Sequence, residues 1–184
     1  MFTRKRSRDK VFGFGLIWMT LCLARTAAFW YGWVQNIISI IGTDAIVIRA
    51  LRSTDVDAIY DCINMGRDHI NLAWATSATL ESTGEFISKT IANPESEVSV
   101  IEVNGEVAGL FEFRTIDGAT TIGYWLGNEF RNRGIMRVVV KHMTEGRKCF
   151  AKIYHNNDKS FVVLAYAGFK QIGIDETWIY LKKE

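Results

Sequence analysis

From residue 45 onward, hydrophobic positions along the chain alternate between two rhythms. A period of two predicts strands, and a period near 3.6 predicts helices packed by one face. Residues 46–52 read as a first strand. Ser53, Thr54 and Asp55 then cap a helix that places Val56, Ile59, Tyr60 and Ile63 on one side. The segment 69–79, with Trp74, bends the chain. Ser82 and Glu85 form a capping-box pattern for a helix carrying Phe86, Ile87 and Ile91, and Pro94 follows its end. Strands at 98–103, 106–114 and 119–126 come next. Asn104-Gly105 and Asp117-Gly118 join them, both pairs that tolerate positive φ in a tight hairpin. A helix from Ile135 to about residue 147 spaces Ile135, Val138, Val139 and Met143 along one face. The remainder reads as a strand at 150–154, a helix capped by Asn157 or Asp158 and closed by Gly168, and a hairpin of 169–174 with 177–182.

Residues 1–44 follow neither rhythm. A basic cluster (Arg4, Lys5, Arg6, Arg8, Lys10) precedes an apolar run over 11–24. Arg25 interrupts, and a second apolar stretch reaches Ile41. The first run is shorter than the ~20 residues that span a bilayer. Basic, then apolar, then small residues at Ala27-Ala28 is the order of a signal peptide. Three readings stay open: a signal or membrane anchor, an upstream start site, and an added amphipathic helix. The expected division is an extension at 1–44 and one domain at 45–184, with membrane contact only where the extension is retained.

The charge pattern changes the picture in one respect. Residues 1–44 hold six basic and two acidic side chains, a net of +4, while 45–184 hold 16 and 18, a net of −2. The body therefore has no global basic field, which argues against a nucleic-acid partner. Cys22, Cys62 and Cys149 form no paired framework, so a reducing, cytoplasmic setting fits. The dispersed cysteines and His69, His142 and His155 point to no metal. Signatures of nucleotide-phosphate loops, dinucleotide folds, zinc proteases and esterases are absent.

The stretch 123–137, GYWLGNEFRNRGIMR, carries the chemistry. A strand ends, a basic turn follows, and a helix starts. The first amides of a helix have no intrahelical acceptor and sit at the positive end of its dipole, so such a junction suits an anion. Gly134 removes a Cβ from the approach, and Arg131 and Arg133 add forked donors. A tight turn with two solvated arginines is the plain alternative.

This stretch resembles the acyl-coenzyme A loop of the GNAT superfamily of N-acetyltransferases, Arg/Gln-x-x-Gly-x-Gly/Ala, through Arg131, Gly134 and, imperfectly, Met136. The GYWL-then-GIM form is most similar to the RimJ/RimL-like branch. The element order from Ile46 to the C-terminus is also the GNAT order, which implies an α/β (α+β) fold with a mixed, mostly antiparallel sheet flanked by helices. The resemblance implies acetyl-CoA as co-substrate and a primary amine as acceptor, either a protein N-terminal α-amine such as that of a ribosomal protein or a small amine. A non-catalytic acyl-CoA binding or sensing module is the alternative, and monomer and homodimer both remain open. By the same resemblance, Arg131, Asn132, Arg133, Gly134, Ile135 and Met136 surround the pyrophosphate. Backbone groups of Trp125, Leu126 and Gly127 bind the pantetheine arm and thioester, and Asn157 assists. Ser160 is the implied proton donor to the thiolate. Many relatives carry a tyrosine acid one turn later, where this chain has Leu164; Tyr166 falls on another face. The acidic residue that often precedes the Gly-Tyr-Trp run is Thr121 here, which leaves Glu112 as the nearest carboxylate for a base. An α-amine, with a pKa near ~8, needs less help than a lysine and can lose its proton to ordered water.

Overall fold

The computed structural model describes residues 36–65 and 77–184. The basic cluster and apolar runs upstream of residue 36, and the bend at 66–76 with His69 and Trp74, lie outside the described residues. Among the described residues, eight strands form one sheet: β1 (Asn36–Ile41), β2 (Asp44–Ala50), β3 (Ser96–Val103), β4 (Glu106–Ile116), β5 (Ala119–Leu126), β6 (Cys149–Tyr154), β7 (Lys170–Ile174) and β8 (Trp178–Lys183). Their spatial order is β1-β2-β3-β4-β5-β6-β8-β7, and every neighbouring pair is antiparallel except β5 with β6. Four helices accompany the sheet in the same residues: α1 (Val56–Asn64), α2 (Leu80–Ala92), α3 (Ile135–Met143) and α4 (Asp158–Tyr166). The mixed, mostly antiparallel sheet is the architecture the resemblance implied.

β1 adds a strand upstream of the expected first one. It pairs with β2 from Asn36↔Ile48 to Ile41↔Asp44, so part of the stretch read as an extension belongs to the sheet. The cap of α2 also differs from expectation. Thr79, not Ser82, is the N-cap: Ser82 N donates to Thr79 Oγ1 at 3.1 Å, and Thr79 N donates to Ser82 Oγ at 2.8 Å. The helix therefore starts one turn early, because Thr79 and Ser82 satisfy each other's amides before Glu85 is reached. α3 ends at Met143 rather than near 147.

Two apolar cores flank the sheet. On one face, Ile46, Phe111, Phe113, Val139, Val140 and Leu164 join strands to α3 and α4. On the other, Ile59, Ile63, Ile87, Val100, Leu110 and Trp125 join strands to α1 and α2. Phe111 and Trp125 separate by strand alternation, which sends neighbouring positions of β4 and β5 to opposite faces. The Arg49 guanidinium ties β2 to the start of α1 and to β3. It pairs with both oxygens of Asp55 at 2.8 Å and with Glu102 at 2.6 Å. Among the described residues no helix is long and apolar enough to cross a membrane.

Candidate active site

The site arises where β5 leaves its neighbour. The β4–β5 ladder runs without interruption from Ile116↔Ala119 to Gly109↔Leu126. On its other side, β5 pairs with β6 only at Thr121↔Phe150. Beyond that pair a cleft of about 670 Å³ opens, lined by Tyr124, Trp125 and Leu126, by the loop and start of α3, and by the start of α4.

The orientation of the β5 amides follows from the hairpin. Asp117 and Gly118 are both at positive φ (50° and 75°), giving a two-residue turn. Such a turn makes Ile116 and Ala119 a hydrogen-bonded pair, and alternation then turns Thr121, Gly123 and Trp125 towards β4. Gly127 continues the pattern, its N–H donating to the Ala108 carbonyl at 2.9 Å. This corrects the expectation for two residues: the amides of Trp125 and Gly127 serve the β4 side. Leu126 keeps the expected direction, and Tyr124 joins it; their N–H groups turn towards the gap. Trp125 still lines the cleft, whereas Gly127 is not part of the lining.

The loop has the backbone an anion site needs. Asn132 and Gly134 take left-handed φ of 61° and 80°. Gly134 is the N-cap of α3 and, having no side chain, leaves the first helical amides without a side-chain acceptor. A Cβ on Gly134 would meet nothing within 4 Å, so its glycine is required by its φ, and open space lies above it. Arg131, Asn132, Gly134, Ile135 and Met136 all line the cleft, as does Arg137, which the motif reading did not single out. Arg131 also donates from Nε to the Leu126 carbonyl at 2.9 Å, which ties the loop to the end of β5. Burial lowers the pKa of its guanidinium from the ordinary value.

Arg133 behaves differently from Arg131. It does not line the cleft; its Nε donates to Asp44 Oδ2 at 3.0 Å and its Nη2 to Asp44 Oδ1. The expected phosphate contact is replaced by a bidentate ion pair with a carboxylate that sequence spacing could not associate with it.

α4 supplies the opposite wall. Asn157 caps the helix by accepting from Ser160 N at 3.1 Å, and both residues line the cleft. Tyr124 reaches across from β5, its hydroxyl donating to the Ser160 carbonyl at 3.3 Å. Burial pushes the Tyr124 phenol up to about 12, partly offset by the Ser160 side chain, so the phenol holds its proton at neutral pH. Leu164 is fully buried in the core. Glu112 is not brought to the cleft: its carboxylate accepts from Ser96 Oγ at 2.6 Å and from Arg114 Nη2 at 2.7 Å. Its strand parity places it with Leu110, on the α1–α2 side. Among the described residues no three His, Cys, Asp or Glu side chains group as a metal site.

An open parallel junction, an uncapped helix start and two cleft arginines together fit a long phosphate-bearing cofactor. Comparison with known proteins agrees. The family model of the acetyltransferase (GNAT) domain matches residues 45–170, and the chain belongs to this family of N-acetyltransferases, which take acetyl-CoA as co-substrate. Among solved structures, the ribosomal L7/L12 α-N-protein acetyltransferase RimL in complex with coenzyme A is 21% identical. The match covers 80% of this chain and 97% of that one, with a TM-score of 0.67. The microcin C7 self-immunity acetyltransferase MccE, in complex with acetyl-CoA and AMP, is 20% identical over 75% and 91%, with a TM-score of 0.66. Mycobacterium smegmatis RimJ, in complex with CoA-disulfide, is 18% identical over 76% and 81%, with a TM-score of 0.66. At these identities the likeness is one of fold, and RimL and RimJ are among the structures that share it. No curated protein matches the chain by sequence.

Proposed function

We propose that the protein transfers acetyl from acetyl-CoA to a primary amine, either a protein N-terminal α-amine or a small amine, by direct attack within a ternary complex. The observation that carries the reading is the single-pair junction of β5 with β6, opening beside the uncapped start of α3. The amides at Gly134–Met136, with Arg131 and Arg137, would hold the pyrophosphate through backbone donors and charge. Leu126 and Tyr124 would offer their N–H groups to the pantetheine arm and the thioester oxygen, where negative charge develops during attack. Asn157 keeps the start of α4 in place through its bond to Ser160 N.

The amine nitrogen forms a bond to the carbonyl carbon as the carbon–sulfur bond breaks. The thiolate then takes a proton, and the amine gives one up. Ser160, in the first turn of α4, is the proposed donor to the thiolate. Tyr124 brings another hydroxyl to the cleft from β5, and its raised pKa suits it to hold a proton. With Glu112 engaged by Arg114 and Ser96, ordered water is the simplest acceptor of the amine proton. Cytoplasmic residence and an extension that ends ahead of β1 stand as part of this proposal. A truncated chain starting near Gly42 is expected to fold and to bind coenzyme A although it lacks β1. The test of function is acetyl-CoA turnover against a panel of peptides with free α-amines and of small amines. Thiol release that depends on one acceptor class supports the reading and selects within it, and no turnover with any amine sinks it.

A further inference from the structure

We propose that Arg133 and Asp44 act as a brace: Asp44, at the start of β2 and one residue ahead of the family-matched region, holds the coenzyme loop in its binding shape. The inference rests on the coenzyme-binding reading of the cleft. Asp44 opens β2 and is 8% exposed, and Arg133 stands next to Gly134 in the loop. Their contact is bidentate, a geometry that fixes orientation as well as distance. Asp44 is itself held, since Asn104 Nδ2 donates to its Oδ1 at 3.3 Å. Asn104 in turn is locked to β2: Ala45 N donates to its side-chain oxygen, and its own N–H donates to the Ala45 carbonyl, both at 2.9 Å. On the loop side, the Arg133 guanidinium lies 5.6 Å from the Phe130 ring centroid and Nη1 donates to the Glu129 carbonyl at 3.5 Å. Arg133 thus links Asp44, itself tied to the β3–β4 turn through Asn104, to the 3-10 turn Asn128–Phe130 ahead of Gly134. On one side of it Asn132, not a glycine, holds left-handed φ, a conformation that persists where surroundings over-determine it.

The proposal makes Arg133 and Asp44 positioning residues for anion binding, and it inverts the expectation from charge alone. Asp44 carries the same sign as the ligand. If the loop worked only through net charge, neutralising Asp44 would tighten coenzyme A binding. As half of a brace, its loss must weaken binding.

Titration calorimetry of the full-length protein with coenzyme A decides between these. Asp44→Asn, Arg133→Gln and the double variant are each expected to weaken binding about tenfold, with the double no worse than the singles. Arg133→Lys keeps the charge and loses the fork, and is expected to weaken binding as well. Thermal unfolding without ligand confirms that each variant is folded. Tighter or unchanged binding in Asp44→Asn, unchanged binding in Arg133→Lys, or additive losses in the double variant would overturn the brace. Failure of the wild type to bind coenzyme A is a separate result, and it would remove the coenzyme reading itself.

Discussion

The two sides of β5 do opposite work. Towards β4 the strand is paired along its whole length, from Ile116↔Ala119 to Gly109↔Leu126. Towards β6 it is paired once, at Thr121↔Phe150. One side spends its amides on the sheet, and the other leaves Tyr124 and Leu126 facing a cleft. A single strand can therefore be both scaffold and site, because alternation assigns each amide to one side only. Substitutions on the closed side should act on stability, and those on the open side on ligand and turnover.

The largest effect on stability is expected on the closed side. Gly109 lies so close to β5 that a Cβ there would run into the Trp125 carbonyl oxygen. Gly109→Ala should cost about 3 kcal/mol or more in chemical denaturation. Near-wild-type stability would show that the two sides are less distinct than the ladder implies. On the open side, Ser160→Ala should lower kcat by about 10²–10⁴ while coenzyme A affinity stays close to wild type. An unchanged kcat would pass the proton to water or to Tyr124, and Tyr124→Phe would then be the variant to measure.

Gly134→Val should abolish detectable coenzyme A binding in calorimetry. Its cost to folding is that of a left-handed φ, about 1–2 kcal/mol, since no neighbour crowds the position. Binding that survives would place the phosphates elsewhere. Arg131→Ala should weaken coenzyme A by about 1–2 kcal/mol, and added salt should weaken the wild type in the same direction. An Arg131 variant indistinguishable from wild type at low salt would leave the loop amides and Arg137 as the anchor.

The smallest effect sharpens the comparison through pH. Burial raises the folded-state pKa of Tyr124 from about 10 to about 12. The unfolded chain therefore loses this proton first as pH rises. The stability linked to the phenol is intact below pH 10 and is lost progressively as pH climbs towards 12. Tyr124→Phe should flatten the decline of stability across that window. Cys62, raised by burial to about 11, should contribute a similar loss from pH 9 to 11, which Cys62→Ala removes. If Tyr124→Phe tracks wild type between pH 10 and 12, the phenol is not buried in solution.

Much of the fold was legible where a residue type has one dominant local use. Asn104-Gly105 and Asp117-Gly118 marked the meander turns, Pro94 marked the end of α2, and Gly134 marked the start of α3. The alternation of β5 amides was also readable, since counting from a two-residue turn at Asp117-Gly118 sends Tyr124 and Leu126 outward. The motif instead pointed to three consecutive residues, and a strand cannot present three consecutive amides to one side. β1 was hidden because its apolar residues follow directly on an apolar stretch and show no regular alternation of apolar and polar positions. Arg133 was assigned to phosphate because its partner, Asp44, is 89 residues away in the chain. Glu112 looked available for the same reason: Ser96, one of the residues that occupies it, comes from β3. Long-range pairing of charges is set by topology, and local pattern carries no trace of it.

The two tight turns of the meander also bear on the order in which the molecule assembles. β3, β4 and β5 are joined by two-residue turns, so their contacts close short loops at small entropic cost. β6 can reach β5 only after the chain has crossed through α3, and it then gains one paired position. The meander is thus the expected folding nucleus, and the cleft is completed last. Substitutions that weaken β3–β5 should slow folding, whereas those in β6, β7 and β8 should chiefly speed unfolding. Stopped-flow rates in denaturant distinguish the two, and a nucleus centred on β6 and β8 would reverse the assignment. A cleft formed in the final step is also the part that opens first. The Tyr124 and Leu126 amides, which face the gap, should then exchange with solvent without any opening of the sheet, while Gly123 and Trp125, on the same strand, wait for the whole sheet.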